Sequence, residues 1–338
     1  MHLATNADEI SDIAFAYMGS KALFCALDLE IFTALSQEPR DAEELAKTAE
    51  VRPDVMTTLL TALAGLGLVT QKDGKWKNAP ASEAFLVKGA KYDFGDYLRL
   101  QVGRQMYGLI DQLDGVVGGE MAPGSTKSYA DWFSNPAEAR LYSESQHAGS
   151  LGPARQLARS LDLSGARTLL DVGGGTGAFA ITLCKAFPEL TATIVEFPNV
   201  AALGREYVTE AGLSDRIRYV EGDGREDIWP RGQDVLLMSY LFSGVPGEAH
   251  EPLMRRAYEH LAPGGHYLIH DFIVDADRSG PKLAALWQLQ HTAFTPEARS
   301  LDTDSLQETL KATGFQKVRI ETMIPEMTML AKGRKPSA

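Results

Sequence analysis

The chain has few of the residues that build metal sites, disulfide frameworks or basic surfaces. Its 338 residues include two cysteines, Cys25 and Cys184, and neither belongs to a metal-type spacing. The formal net charge of −12 argues against a nucleic-acid partner. No run of about 18 apolar residues is present, and the first residues lack a basic, then hydrophobic, signal pattern. We therefore expect a cytoplasmic protein with no membrane, no metal and a small-molecule ligand.

A glycine-rich run at 169–177 carries the strongest functional signal. It reads Leu-Leu-Asp-Val-Gly-Gly-Gly-Thr-Gly, an apolar strand that ends in an acid and a turn. Glycines let backbone approach a ligand closely, and the following helix points its N-terminal amides at the same place. Read as G-x-G-x-x-G/A, with Glu196 downstream, the run fits a dinucleotide turn. Asp171 would repel a pyrophosphate and the acidic turn Glu221-Gly222-Asp223-Gly224 follows, so S-adenosylmethionine is favoured.

The organisation of the chain predicts two domains, 1–160 and 161–338. Apolar spacing predicts a helix from Ile10 to Leu35, a short helix from Asp41 and another after Pro53. The alternating segment 67–77, with Asp73-Gly74 at its turn, predicts a hairpin. Helix, helix and hairpin predict a winged helix, but its recognition helix carries no basic footprint, which argues against DNA binding.

After residue 166 the pattern changes to alternating strands and helices. The predicted strands are 168–172, 192–195, 217–220, 235–239, 266–271, 317–322 and 327–331. Crossover helices between the first five strands indicate a parallel sheet. We therefore predict an α/β fold with a Rossmann-like seven-stranded sheet and an antiparallel edge, preceded by a mostly helical domain.

These motifs together resemble the S-adenosylmethionine-dependent methyltransferases of the O-methyltransferase type with an N-terminal dimerisation domain. The resemblance rests on the helical head, on 170–177, on Phe187-Pro188-Glu189-Leu190, on 195–200, on Gly222-Asp223 and on 261–265. It implies a homodimer formed through the N-terminal domain, a ribose contact from Glu196 and an adenine contact from Asp223. The predicted cofactor residues are Asp171, Gly173, Gly174, Gly175, Gly177, Glu196, Phe197, Gly222, Asp223, Gly224 and Ser239.

One departure from the family pattern concerns catalysis. The family has a Leu-His-Asp-Trp segment after the fourth strand, and its histidine deprotonates a phenol. Here Ser243 takes that place, and a serine of ordinary acidity is not a base. Catalytic candidates are therefore His270, Asp271 and His291, which could also form a two-histidine, one-carboxylate metal site. A thioether acceptor would need no base.

Acceptor-binding residues are predicted in two helical regions before residue 160 and at two later positions, Ser243 and Trp287. An arginine beside tyrosines suits a carboxylate, and helical spacing places Tyr97, Gln101 and Arg104 on one face. The predicted set is Tyr97, Gln101, Arg104, Tyr107, Tyr142, Gln146, His147, Ser243 and Trp287.

Two acceptor classes are open at this point. The opening segment 11–18 and the length are similar to those of bacterial S-methyltransferases of 4-methylthio-2-hydroxybutyrate, in dimethylsulfoniopropionate biosynthesis. The loss of the family base agrees with such a thioether. The alternative is O- or C-methylation of a phenolic or keto-acid metabolite, with His270 or His291 as the base.

Overall fold

The computed structural model describes residues 3–122, 133–295 and 297–337 and divides the chain into two compact units. Unit 1 spans Met1–Tyr107 and unit 2 spans Gly108–Ala338. The sequence predicts a domain boundary at residue 160, whereas the first compact unit ends at Tyr107. The long helix Pro136–Ser160 packs against Ala178–Ala186 of unit 2, so it belongs to that unit.

Unit 1 is built from helices and one small hairpin. Its elements are α1 (Ala7–Asp28), α2 (Ile31–Gln37), α3 (Ala42–Thr48), α4 (Pro53–Gly65), β1 (Val69–Lys72), β2 (Lys75–Asn78) and α5 (Pro80–Phe85). The predicted single helix from Ile10 to Leu35 is two helices, because Glu30 has left-handed backbone (φ 52°). Asp41 begins α3 with a reciprocal capping box to Glu44.

The apolar residues of unit 1 divide between a core and an outer face. Phe32, Leu45 and Met56 are fully buried. By contrast, α1 exposes a series of large apolar side chains: Ile10, Ile13, Phe15, Tyr17 and Met18. By length and composition α1 could also cross a membrane, although the sequence has no run of about 18 apolar residues. An apolar face of this kind is equally typical of a protein–protein interface.

The segment after α5 is a π-helix, Tyr97–Met106, followed by the short α6, Tyr107–Ile110. Bonding from residue i to i+5 widens each turn, so α-helical spacing no longer identifies one face. Gln101 is buried, whereas the Arg104 side chain is 54% exposed. The predicted shared face of Tyr97, Gln101 and Arg104 is therefore wrong.

Unit 2 is a seven-stranded sheet with helices around it. Its helices are α7 (Leu113–Val117), α8 (Pro136–Ser160), α9 (Ala178–Ala186), α10 (Pro198–Glu210), α11 (His250–His260), α12 (Lys282–Phe294) and α13 (Thr303–Thr313). Its strands are β3 (Thr168–Val172), β4 (Thr191–Glu196), β5 (Ile217–Glu221), β6 (Gln233–Ser239), β7 (Leu261–Asp271), β8 (Gln316–Ile324) and β9 (Thr328–Arg334). The predicted fold class is confirmed.

The strand order places the site. The sheet runs β5-β4-β3-β6-β7-β9-β8, and β9 is antiparallel to both of its neighbours. The order reverses between β3 and β6, where a parallel sheet opens a crevice at its carboxyl edge. Buried Leu169, Ile194 and Leu237 hold the three central strands in register beneath that edge.

Candidate active site

A cavity of about 320 Å³ lies at the carboxyl edge of the sheet, at the switch point, and is here called the cofactor cavity. It is bounded by the loops after β3, β4, β5 and β6 and by α8. Ten of the predicted site residues line it: Gly173, Gly174, Gly175, Glu196, Phe197, Asp223, Gly224, Ser239, Tyr142 and Gln146.

The glycine turn after β3 forms the floor of this cavity from backbone. Gly173 and Gly175 have φ values of 68° and 57°, which side chains rarely adopt. A Cβ at Gly174 would lie 2.6 Å from Asp171 Cγ. Across the cavity, a Cβ at Gly224 would lie 2.8 Å from Val172 Cγ1. The floor is therefore a cradle of backbone, because a side chain at Gly174 or Gly224 would overlap the buried residues beneath it.

Glu196, at the end of β4, is tied to the glycine turn. Its Oε2 accepts a hydrogen bond from the Gly175 amide at 2.8 Å, and its Oε1 accepts one from the Phe197 amide at 2.7 Å. Burial raises the pKa of this carboxyl to about 7. A carboxyl held in this way at a cavity wall suits a pair of ribose hydroxyls.

Asp223, in the turn after β5, has a cationic partner. The Arg225 guanidinium donates to its Oδ2 at 2.7 Å, and both residues line the cavity. Burial disfavours the ionised Asp223, but the hydrogen bonds from Arg225 outweigh it and lower the pKa. Asp223 is thus an acceptor-only carboxylate, a group that an exocyclic amine can contact.

Three of the predicted cofactor residues, Asp171, Gly177 and Gly222, do not line the cavity. Gly177 caps α9, with a φ of 82°. The Asp171 carboxyl is fully buried against Gly174, and among the described residues neither of its oxygens has a hydrogen-bond partner. Burial, and then the nearby Glu196, raise its pKa to about 7. Asp171 therefore supports the turn from inside and is not among the residues that line the cofactor cavity, although it was predicted to be a cofactor residue.

The predicted catalytic histidine of β7 is a structural residue. His270 is fully buried, with Nδ1 2.9 Å from Ser239 Oγ and Nε2 2.9 Å from Thr328 Oγ1. Burial lowers its pKa to about 3, so it is neutral. Because both ring nitrogens are engaged inside the sheet, His270 does not fit the predicted role of base.

Ser243, Asp271 and His291 lie around a second cavity, of about 280 Å³. Ser243 and His291 line it, together with Arg278 and Arg299, and we call it the arginine cavity. Asp271 is buried behind Ser243, whose amide donates to Oδ2 at 3.2 Å. Burial raises the Asp271 pKa to about 6. Within the described ranges His270, Asp271 and His291 do not form a metal-type cluster.

The remaining predicted acceptor residues are dispersed. His147 stacks on Tyr207 and shares a 2.7 Å hydrogen bond with Thr176 Oγ1; Thr176 lines the cofactor cavity, whereas His147 does not. Trp287 stacks on Phe272, with 4.9 Å between ring centroids, and lines neither cavity. Neither side chain lines one of the two cavities, and their roles as acceptor contacts stay predictions.

Four predicted acceptor residues, Tyr97, Gln101, Arg104 and Tyr107, belong to unit 1. Arg104 donates to Asp28 at 2.7 Å, so its charge is already matched by a carboxylate. Tyr107 packs edge-on against Phe24. The carboxylate contact predicted for Arg104 is thereby weakened.

Several residues of the cofactor cavity were not predicted from sequence. Tyr240 follows β6 with left-handed backbone (φ 57°), and its ring lies 4.6 Å from that of His270. Other unpredicted lining residues are Phe133, Phe179, Leu241, Val245 and Thr295. The strand end at Ser239 was the one local signal for Tyr240 and Leu241.

Two family models match this chain. An O-methyltransferase domain matches residues 121–316, and an O-methyltransferase dimerisation domain matches residues 11–88. The dimerisation domain, with the apolar outer face of α1, supports a homodimer.

Named relatives and solved structures agree with these matches. The 3-hydroxy-5-methyl-1-naphthoate 3-O-methyltransferase of Streptomyces sahachiroi is 33% identical over 83% of this chain and 81% of its own. The N,N-dimethyltransferase OxyT of Streptomyces rimosus is 27% identical over 96% of both chains. Human N-acetylserotonin methyltransferase in complex with SAM has a TM-score of 0.88 at 21% identity, with all of both chains covered.

The cofactor cavity fits S-adenosylmethionine, the cofactor of these methyltransferases. The glycine cradle admits backbone contact, Glu196 suits the ribose hydroxyls and Asp223 suits an adenine amino group. The cofactor predicted from the sequence is therefore confirmed.

Proposed function

Because the chain belongs to the O-methyltransferase family with an N-terminal dimerisation domain, and is an S-adenosylmethionine-dependent methyltransferase, we propose that it methylates a thioether sulfur. The proposed acceptor is 4-methylthio-2-hydroxybutyrate, whose S-methylation would serve dimethylsulfoniopropionate synthesis. The observation that carries the proposal is the lining of the cofactor cavity. In the part of the chain that the structure describes, no histidine lines it.

The case for a base-free transfer follows from the two candidate histidines and from Ser243. His270 is engaged at both ring nitrogens, and Ser243 occupies the position of the family histidine. His291 lines the arginine cavity, and burial lowers its pKa to about 3, which makes it a weak proton acceptor. A hydroxyl acceptor must lose a proton during transfer. A thioether has a lone pair and no proton to lose.

The residues of the chain then act by binding and alignment. Bound S-adenosylmethionine supplies an electrophilic methyl group. Glu196 and the glycine turn would fix the cofactor, while Tyr240, Leu241 and Thr295 would close the cavity on the acceptor side. Alignment of reacting groups supplies about 7–11 kcal/mol in favourable cases, whereas a general base adds only about 10²–10⁴-fold. A site without a base can therefore still supply the larger of the two contributions, which comes from alignment.

A second candidate is O-methylation of an aromatic hydroxy acid. Aromatic rings of Phe133, Phe179 and Phe197 line the cofactor cavity and suit a planar acceptor. The naphthoate O-methyltransferase among the relatives acts on such a compound by its name. For this candidate we assign the role of proton acceptor to Asp271, which has a pKa of about 6 and accepts a hydrogen bond from the Ser243 amide.

An acceptor panel separates the two candidates. The protein would be incubated with methyl-labelled S-adenosylmethionine and 4-methylthio-2-hydroxybutyrate, a hydroxynaphthoate, a simple phenol or a 2-keto acid, and products identified by mass spectrometry. We expect the label on the thioether sulfur. Label on the hydroxynaphthoate alone would overturn the thioether proposal in favour of the second candidate.

A further inference from the structure

We propose that the arginine cavity binds the carboxylate of the methyl acceptor, with Arg299 as its charged contact. This inference rests on the proposed function, since it assigns one end of the acceptor to a subsite. The ligand class is a small organic acid whose reacting atom lies several bonds from its carboxylate. The cavity, of about 280 Å³, is lined by two arginines together with Ser243, His291, Gln288 and Thr292.

The two arginines of this cavity differ in whether an acidic side chain pairs with their charge. Arg278 donates to Asp302 Oδ2 at 2.6 Å and to Ser300 Oγ at 2.7 Å, so its guanidinium is occupied. Arg299 forms no ion pair or hydrogen bond through its guanidinium with any residue the structure describes. The chain contains 45 acidic and 33 basic residues. An arginine that lines a cavity without an acidic partner is therefore a candidate for an anionic ligand.

The stem of Arg299 is held in place by the backbone beneath it. A Cβ at Gly247 would overlap the Arg299 side chain, so the stem lies directly on that glycine. The Gly247 amide also donates to the Glu297 carbonyl at 3.0 Å, which ties the segment carrying Arg299 to the short 3-10 helix Gly247–Ala249. An arginine placed in this way loses less conformational entropy when it binds a carboxylate.

The charge of Arg299 reaches the protein interior. His250 is largely buried, and its Nε2 shares a 2.9 Å hydrogen bond with the Phe242 carbonyl. Burial lowers the pKa of His250, and the positive charge of Arg299 lowers it further, although hydrogen bonds oppose this. Arg299 is thus close enough to His250 for its positive charge to contribute to the lowered pKa.

The arginine cavity and the cofactor cavity are lined by neighbouring residues of the same two segments. In the 3-10 helix Phe242–Gly244, Ser243 lines the arginine cavity and Gly244 lines the cofactor cavity. At the end of α12, His291 and Thr292 line the first, and Thr295 lines the second. An acid anchored at Arg299 would therefore extend its reacting end toward the cofactor along Ser243.

The test compares acids with their methyl esters. For Arg299→Ala we expect a rise of about 10- to 100-fold in the KM for the acid of the panel that accepts the methyl group. A loss of this size is typical when a charge-assisted contact is removed. The KM for its methyl ester, the kcat and the Kd for S-adenosylmethionine should stay within about twofold. Arg299→Lys should recover part of the loss. The control is Arg255→Ala, an exposed α11 residue paired with Glu251. Equal effects of Arg299→Ala on acid and ester would overturn the subsite.

A second readout does not depend on turnover. Phenylglyoxal modifies accessible arginines, and mass spectrometry would follow Arg299 and Arg255 with S-adenosylhomocysteine present. We expect the acid that the enzyme methylates, 4-methylthio-2-hydroxybutyrate or the hydroxynaphthoate, to protect Arg299 but not Arg255 from modification. The methyl ester of that acid should protect neither arginine. Protection without S-methylation would sustain the subsite and reject the proposed function. Thioether methylation without protection would reject the subsite and sustain the proposed function. If Arg299 is not protected and the thioether is not methylated, both the subsite and the proposed function are rejected.

Discussion

The two cavities of unit 2 are built from different parts of the polypeptide. The cofactor cavity has a floor of backbone, in which Gly174 has no room for a Cβ and Gly173 and Gly175 have positive φ values that side chains rarely adopt. The arginine cavity is walled by side chains on α12 and on the loops beside it. Amino-acid substitutions alter the shape of a wall made of backbone little. In a wall made of side chains, each substitution of a lining residue alters the shape. We therefore expect relatives named for O- and N-methylation to differ more in the side-chain wall than in the backbone floor.

The largest expected effect is a dependence of the unfolding free energy on pH, because the Asp171 carboxyl is buried beneath the floor of the cofactor cavity. The folded-state pKa of Asp171 is raised to about 7 from its ordinary 3.8. Such a group stabilises the fold fully below its ordinary pKa, and this contribution is lost as pH rises through 7. Relative to Asp171→Asn, the unliganded wild-type protein should lose about 3 kcal/mol of unfolding free energy between pH 5 and pH 8.

Urea unfolding at a series of pH values measures that difference. The exposed carboxyl of Asp304 on α13 supplies the control, Asp304→Asn, which should follow the wild-type curve. Parallel curves for wild type and Asp171→Asn would show that the Asp171 pKa is ordinary and that the floor is not strained by a buried acid.

A side chain in the cradle should weaken cofactor binding next most strongly. In Gly174→Ala the new Cβ would overlap the Asp171 carboxyl and lie 2.9 Å from Ile194 Cγ2, so the turn must shift. We expect the Kd for S-adenosylmethionine to rise by about 10- to 100-fold in calorimetric titration. Gly152→Ala in α8, where nothing lies within 4 Å, should bind the cofactor normally. Unchanged affinity in Gly174→Ala would contradict a backbone-defined cofactor wall.

His270 separates stability from catalysis. His270→Gln should cost about 1–2 kcal/mol of unfolding free energy, because its contacts with Ser239 and Thr328 are buried. The pH dependence of kcat should keep its shape, since the imidazole is already neutral. Loss of an acidic limb from the kcat profile, with stability unchanged, would restore His270 as a base.

Arg104 should show the smallest effect. Its ion pair with Asp28 is exposed, and such pairs contribute less than about 1 kcal/mol. In Arg104→Ala we expect a change of less than about twofold in KM for an acidic acceptor, in contrast to Arg299→Ala. A larger rise for Arg104→Ala would move the carboxylate contact to unit 1.

The sheet could be read from the sequence because its signals are local. Apolar runs bounded by turns predicted all seven strands of the sheet, and β3 begins and ends where predicted. The glycine turn and Glu196 followed from spacing along the chain. The left-handed Glu30 and the π-helix at Tyr97–Met106 lacked such a signal, since neither changes the apolar spacing enough to be seen.

The acceptor side depends on contacts between distant segments. His270 lies opposite Ser239 in the β6–β7 register, and Thr328 reaches it from β9, so its imidazole is engaged at both ends. Nothing near His270 in the sequence announces either partner. Arg299 and Gly247 meet across fifty residues for the same reason. Side-chain walls of this kind become visible only once the chain is folded.

The rate of methyl transfer in a single turnover, measured against pH with both substrates saturating, tests the central claim most directly. Saturation removes any effect of the Glu196 and Asp171 pKa values on cofactor binding. For 4-methylthio-2-hydroxybutyrate the account predicts a rate that changes less than about twofold from pH 6 to pH 9. A rate that rises tenfold per pH unit over part of that range would require a general base and would contradict it.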